Sequence, residues 1–394
     1  MKRRNFVAST GMALAGISVI NASVFYPLSS KNNIIKIGII GTGNRGGGLI
    51  PIINKINGLQ VVACCDLLPF RLKSAIKKVD GKAKSYSDYR KLLDDKNIDA
   101  VLIATPFSEH YTIALDSIYA GKHIYCEKTL VKGYDRIKNL VNISNQSTNI
   151  FQTGHQYHSS RLYSHIVDII NKGKIGRITA IECQWNRNGN WRRPVPSPEL
   201  EKAINWRMYK QFSGGLLAEL CSHQLDFCNW VLDAVPIKVF GDGGIDYWKD
   251  GRETFDNVHM IYTYPNGVRA KFTCLTSNSK DDFLIKVLGD KGTITIDYTK
   301  AWFFPEKNDE SKKKGELDGV SGATVQWIQD KGIPIEVQHL EPSKQALIDF
   351  RNSIWSGKSP KSNIKSGAKA AICVQMGLEA LYSGNVVYWK EGII

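Results

Sequence analysis

The stretch that most constrains this chain is "IIKIGIIGTGNRGGG", residues 34–48. A run of apolar residues leads straight into a glycine-rich turn, and the following "LIPIINKI" suits a helix with Pro51 near its start. Taken alone, the spacing of Gly41, Gly43 and Gly46 is a weak signal, because glycines cluster in many turns. Its setting strengthens it. A strand precedes the turn, a helix follows, and Asp66 closes the next apolar strand, "LQVVACCD". Gly41 permits the tight turn, Gly43 lets the backbone approach a pyrophosphate, and Gly46 allows close helix packing. Asn44 and Arg45 complete the turn, and the helix N-terminus there offers N–H groups and a dipole to phosphate. Asp66 is placed to accept ribose hydroxyls and to repel a 2′-phosphate, which predicts NAD as cofactor rather than NADP.

The pattern continues with "LPFRLKSAIKKV" and "DYRKLLDD" as helices and "IDAVLIATP" as a strand. "EHYTIALDSIYAG" is then a helix and "HIYCEK" a strand. Buried strands alternating with amphipathic helices predict a parallel sheet covered on both faces over residues 34–155. Beyond about residue 155 the texture changes. "ITAIECQWNR", "IKVFGDGGIDYW", "NVHMIYTYP", "VRAKFTCLTS", "FLIKVLGDKGTITIDYT" and "WFFP" read as strands joined by short turns. That predicts a second, α+β domain over 156–394 with a large, mostly antiparallel open sheet. Two late helices, "SKQALIDFRNSIWSG" and "SGAKAAICVQMGLEALYSG", end the chain and are expected to return toward the first domain. A length of 394 residues suits two cores better than one.

The formal charge of +15 is spread among acids along the chain, and the one tight basic run outside the N-terminus is "KKK" at 312–314. No nucleic-acid motif accompanies it, so no nucleic-acid partner is expected. Arg3 and Arg4 precede "VASTGMALAGISVI", which is too short and too weakly apolar for a stable membrane span. Residues 1–30 instead read as a twin-arginine export signal and linker, cleaved near Ala22, which predicts a periplasmic protein. The eight cysteines lack zinc-like spacing and read as small core residues, with no metal and no required disulfide.

Three further segments carry candidate chemistry. "ATPFSEH" places Thr105 and Pro106 where a strand ends at the ligand-binding edge of the sheet, with His110 just after; a plain turn explains the residues equally well. "HIYCEKT" runs from an apolar strand into Glu127 and Lys128 without a polar turn between. "GGLLAELCSHQLDFCNW" sets Glu219 and His223 four residues apart on a helix, with Asp226 three further on. A histidine takes a hydroxyl proton near neutral pH, and a carboxylate one turn away can orient it. A structural histidine is the competing reading.

In this order and spacing, "KIGIIGTGNRG", "ACCD", "IATPFSEH", "GKHIYCEKT" and "GGLLAELCSHQLD" resemble the glucose–fructose oxidoreductase / inositol dehydrogenase (Gfo/Idh/MocA) family over roughly residues 34–300. The resemblance implies a Rossmann domain followed by an α/β domain whose open sheet packs against the nicotinamide, in homodimers or homotetramers. It implies that Lys128 is the active-site lysine, Glu127 its cofactor-side neighbour and His223 the proton-transferring histidine. Trp206 and Arg207 would lie near the cofactor. Two residues depart from the pattern. Thr129 stands where the family has proline, and because a non-proline cis bond costs about 2.5–4 kcal/mol, a trans peptide is expected. Glu219 stands where many members carry the shorter aspartate.

The function these readings imply is an exported, NAD-dependent sugar or glycoside dehydrogenase. His223 would accept the hydroxyl proton, Glu219 orient it, and Lys128 donate a hydrogen bond to the developing alkoxide. "QWNRNGNWRRPVP" would cover the sugar, with Trp185 or Trp191 stacking on a ring face, and Arg192 and Asp226 join them as substrate candidates. A structural loop or an oligomer contact is the alternative for that segment. Export implies a tightly retained NAD. Two other functions compete: an NAD-dependent glycosidase of the glycoside hydrolase family 109 type, working by transient oxidation and elimination, and a non-catalytic NAD- or sugar-binding sensor.

Overall fold

The computed structural model describes residues 34–306, 332–338 and 340–394, so the export segment and the "KKK" run lie outside the described residues. In the first unit, β1 (Ile35–Ile40), α1 (Asn44–Ile53), β2 (Leu59–Cys65), α2 (Pro69–Lys77), β3 (Lys84–Tyr86) and α3 (Tyr89–Asp94) alternate. β4 (Ala100–Ile103), α4 (His110–Tyr119), β5 (His123–Cys126), α5 (Tyr134–Asn145) and β6 (Phe151–Thr153) continue the pattern. The strands form one parallel sheet in the order β3-β2-β1-β4-β5-β6. All four residues of β4 are buried, which is why the central strands read as continuous apolar runs. The order reverses between β1 and β4, opening a crevice at their carboxyl ends.

Helix α1 starts at Asn44, directly after Gly43, so Pro51 falls toward its end and not near its start. Proline has no N–H to offer the Gly47 carbonyl four residues back. Lys78 Nζ donates to that carbonyl at 2.7 Å instead.

In the second unit, α6 (Arg161–Asn171) and β7 (Ile178–Asn188) precede α7 (Glu201–Ile204) and α8 (Ser222–Leu232). Strands β8 (Lys238–Gly244), β9 (Asn257–Thr263), β10 (Arg269–Leu275), β11 (Ser277–Gly289), β12 (Gly292–Asp297), β13 (Lys300–Pro305) and β14 (Ile333–Pro334) follow. Helices α9 (Pro342–Ser356) and α10 (Ile364–Ser383) and the short β15 (Val387–Tyr388) complete the chain. The sheet order is β14-β13-β12-β11-β7-β10-β9-β8-β15, and β7 with β10 is its one parallel pair among the described residues. Strand β10 buries Ala270, Phe272 and Cys274 and turns the residues between them outward, the period of a half-buried strand.

The late helices divide their packing. Ala346, Leu347 and Phe350 of α9 join the core of the first unit, where the Phe350 ring meets Tyr125 edge-on at 5.7 Å. Helix α10 packs against α8, β8 and α5. Glu341 and Asn363 cap the two helices by accepting backbone N–H groups, and Gly357 and Gly384 end them in the left-handed conformation. All eight cysteines are buried free thiols. No described helix is long and apolar enough to cross a membrane.

Candidate functional site

The glycine turn is seated on the end of β4. A Cβ at Gly41, whose φ is +87°, would lie 2.7 Å from the Ala104 carbonyl. One at Gly46 would lie 2.0 Å from the Gly41 oxygen, so neither position admits a side chain without moving backbone. A Cβ at Gly43 would meet only the Arg71 guanidinium, at 3.6 Å, which leaves that side open for a pyrophosphate. At the end of β2, Asp66 Oδ2 accepts from the Thr42 N–H at 2.7 Å and the Thr42 hydroxyl at 3.0 Å, while Oδ1 accepts from the Leu68 N–H at 2.9 Å. These bonds fix the carboxylate beside the turn, where a ribose would come. The cradle and the acid fit a bound dinucleotide. Thr42, at an unspecified position of the glycine motif, carries no sequence signal for its part.

Arg45, the second residue of α1, does not present a free charge. Its Nε donates to Glu127 Oε1 at 2.7 Å and its Nη1 to Ser343 Oγ at 3.1 Å, tying the glycine helix to β5 and to the start of α9. Asn44 opens α1.

Lys128 follows β5, the neighbour of β4 in the sheet. Its Nζ donates to the Glu219 carbonyl at 2.6 Å, and the Thr129 hydroxyl donates to the Ala218 carbonyl at 2.9 Å. Both carbonyls belong to a single π turn, Leu217–Cys221, that leads into α8. Such a turn bonds i to i+5, so it interrupts the α-helical ladder, and it is common at functional sites. Here its carbonyls receive the side chains that follow β5. The Lys128–Thr129 peptide is cis, against the trans geometry expected from threonine in place of proline. Thr129 is held on two sides: its hydroxyl by Ala218, and its carbonyl by His110 Nδ1 at 3.0 Å.

That contact shows the place of His110. The ring is buried, with Nδ1 also 3.1 Å from the Leu130 carbonyl and Nε2 3.1 Å from the Thr105 carbonyl. Its two nitrogens thus face carbonyls of the loop after β4 and the loop after β5, and the neutral ring donates from one of them. The Thr105 hydroxyl beside it is buried without a hydrogen-bond partner among the described residues, and Pro106 continues the loop. Burial depresses the Lys128 ammonium below its usual range, with Glu219 and Glu127 opposing the shift and Arg207 and Arg45 adding to it.

His223 opens α8, but the Glu219 carboxylate does not orient it. Glu219 Oε2 lies 2.7 Å from Arg207 Nε, and that guanidinium lies 4.2 Å over the Trp206 ring. The π turn breaks the α-helical phase on which the four-residue spacing depended, and the carboxylate turns to arginine. Burial raises the Glu219 carboxyl, but Arg207 and Lys128 outweigh it and hold the group below the usual range. Asp226 Oδ2 is 2.9 Å from His158 Nε2, a close buried approach that lacks hydrogen-bond alignment, and His158 stacks on Trp230 at 4.4 Å.

Around His223 stand rings that the sequence did not single out. His155 is fully buried and meets His223 edge-on, with ring centroids 5.8 Å apart. Tyr157 lies 5.1 Å from His223 on another side. Gly154, before His155, backs so closely on Glu127 that a Cβ would lie 2.8 Å from its carboxylate. His155, Tyr157 and His158 come from "GHQYHSS", directly after β6. Their signal was position: they leave the same carboxyl edge of the parallel sheet as the glycine turn, "ATP" and "EK". Burial pushes the His223 imidazole well below its ordinary range, with Lys128 next in effect and His155 after it, so the ring is neutral at pH 7.

Of the remaining candidates, Trp185 borders His223 at 5.8 Å and is covered by Phe283 at 5.0 Å, its partner across a bulge between β7 and β11. Trp191 has a left-handed backbone, φ +68°, and packs on the core. Arg192 is bound to Glu201 at the start of α7 and, at 3.3 Å, to Asp250 between β8 and β9, so its charge is used within the protein. Among the described residues no group of three or more His, Cys, Asp or Glu is arranged to hold a metal ion.

Comparison with known proteins fits this geometry. Residues 35–155 match the model of the oxidoreductase family with an NAD-binding Rossmann fold, and residues 163–295 match that of the GFO/IDH/MocA C-terminal domain. The chain is 27% identical over 210 residues to an inositol 2-dehydrogenase of Salmonella typhimurium, a match covering 52% of this chain and 57% of that protein. It is 23% identical over 347 residues to a 2,7-anhydro-N-acetylneuraminate hydratase of Escherichia coli, covering 84% and 89%. Its fold is similar to that of a levoglucosan dehydrogenase solved with NADH and levoglucosan, at a TM-score of 0.72 and 19% identity over 90% of this chain and 99% of the other. With both domain models matched in order along one chain, the protein belongs to the Gfo/Idh/MocA family of oxidoreductases and carries that family's NAD-binding Rossmann domain.

Proposed function

We propose that this protein uses NAD to oxidise a ring hydroxyl of a sugar, polyol or glycoside. The observation that carries the reading is convergence: the dinucleotide cradle, the Lys128 ammonium and the neutral His223 imidazole all gather at the carboxyl edge of one parallel sheet. A bound nicotinamide supplies the acceptor for hydride leaving the carbinol carbon. His223, held neutral at pH 7, takes the hydroxyl proton. Lys128, aimed by the Glu219 carbonyl, donates to the oxygen as negative charge develops on it. Glu219 acts through its backbone and through Arg207, and Asp66 favours NAD over NADP.

The similarity to a hydratase along most of the chain favours a second reading, in which oxidation is transient and the net change is gain or loss of water or alcohol. One experiment separates the two. Purified protein is incubated with NAD and a panel of sugars, polyols and glycosides, following reduced cofactor by absorbance and products by mass. A keto product with accumulating NADH supports net oxidation. A hydrolysed or hydrated product without NADH supports the second reading, and neither product across the panel overturns both.

From the paired Arg3 and Arg4 we also propose that the folded protein, retaining its cofactor, is exported to the periplasm. Residues 1–30 fused to a reporter should deliver it to the periplasm, and replacing both arginines with lysine should stop delivery. Unchanged delivery would refute the twin-arginine route.

A further inference from the structure

An imidazole that accepts a proton on one nitrogen becomes a cation, and a partner on the other nitrogen can stabilise that charge or take the second proton. In most such sites a carboxylate takes that part. Here neither nearby carboxylate is hydrogen-bonded to His223: Glu219 bonds Arg207, and Asp226 Oδ2 lies 2.9 Å from His158 Nε2 without hydrogen-bond alignment. His223 Nδ1 is buried with no hydrogen-bond partner among the described residues. The same is true of both ring nitrogens of His155, a side chain with no exposed surface, whose ring stands edge-on to His223 at 5.8 Å between centroids. Two buried imidazoles with unspent nitrogens, side by side and flanked by the active-site lysine, are poor structural choices, since each unpaired polar group loses about 1–3 kcal/mol of solvation.

We propose that His155 is a positioning and proton-relay residue that acts through His223. The proton His223 takes from the substrate hydroxyl at Nε2 is balanced by passage of the Nδ1 proton toward His155, directly or across one bridging water. The relay rests on the oxidoreductase reading above, because it needs a hydroxyl proton to move. Atoms and charge balance: the carbon loses hydride to NAD, the oxygen loses its proton to His223, and His155 ends as the cation. Asp226 faces His155 from α8 and His158 from the turn after β6, while Glu127 and Lys128 face it from the loop after β5. Burial opposes a cationic His155 most, His158 and Lys128 oppose it as well, and the two carboxylates favour it. His223 faces Lys128, His155 and Arg45, and no acid, so the cation is better placed on His155 than on His223.

The test uses the full protein with bound NAD and a substrate found by the panel. His155→Ala should lower kcat about a hundred-fold with KM little changed. Added imidazole should restore a tenfold or greater part of it, which a merely structural loss would not allow. His155→Asn, which keeps a polar side chain but does not titrate in this range, should show the same loss and should remove the acid limb set by His155 from the pH profile. In parallel, nitrogen NMR of histidine-labelled protein, which needs no turnover, should show the His223 Nδ1 resonance move in His155→Asn. If His155→Asn keeps wild-type kcat and pH profile, or leaves the His223 resonance unmoved, the relay is wrong. Should no substrate yield NADH in the wild type, the oxidoreductase reading fails first, and the NMR result still decides whether the two rings are coupled.

Discussion

Residue by residue, the site was legible wherever chemistry followed local sequence. Gly41 and Gly46 sit in the turn that their spacing implies, because strand, turn and helix are consecutive, and Asp66 meets it from the end of the adjacent β2. Lys128 meets the segment containing Glu219 and His223 only through tertiary folding, and family resemblance linked them. His155 and His158 were not legible, since a histidine in an apolar stretch has the same appearance whether it packs or reacts. The Lys128 ammonium donates to one carbonyl, and in the proposed reaction another of its protons would go to the substrate oxygen. Lys128→Met fills similar volume without charge and should lower kcat on the order of 100- to 1,000-fold. Its melting temperature should hold or rise, because a buried ammonium is removed. A variant with unchanged kcat would remove Lys128 from the chemistry.

Among the elements, the π turn is where the sequence reading failed and why. Periodicity arguments assume 3.6 residues per turn, and on that assumption Glu219 and His223 share a face. The inserted π turn leaves the first to Arg207 and makes the Ala218 and Glu219 carbonyls receivers for Thr129 and Lys128. Thr129→Val keeps the shape and removes the donor to Ala218. It should cost about 1 kcal/mol of stability, read as a lower denaturant midpoint. It should also lower kcat more than it raises KM, since the segment that aims Lys128 loses one of its anchors. Wild-type stability and kcat in that variant would show that the hydroxyl holds nothing. Pro51 taught a similar lesson: the helix begins earlier than the apolar run suggests, and Lys78 serves the carbonyl that proline cannot.

Across the whole molecule, alternating strands and helices gave the parallel sheet and its crevice, and short strands with turns gave the open antiparallel sheet. What covers one face of the parallel sheet is distant in sequence. Helix α9 returns to the first core, and Ser343 at its start holds Arg45. Burial of histidines is also a property of the whole fold. His110, His123, His155 and His223 are all pushed below their ordinary value of 6.5, chiefly by burial. Between the folded and unfolded values the unfolded chain binds more protons, so stability is full above about pH 6.5 and is lost as pH falls below it. Each histidine contributes up to about 1.4 kcal/mol per pH unit in that window. Denaturant midpoints should therefore drop between about pH 7.5 and pH 5.5, and a flat profile would contradict the neutral buried rings.

The central claim is that hydride passes from a ring carbon to NAD while His223 takes the hydroxyl proton. The most direct measurement uses a substrate from the panel carrying deuterium at the reacting carbon, with cofactor recovered after a single turnover and analysed by mass. The account predicts deuterium in the reduced cofactor from the wild type and almost no reduced cofactor from His223→Ala. Reduced cofactor carrying only protium, or deuterium transfer undiminished in His223→Ala, would contradict it.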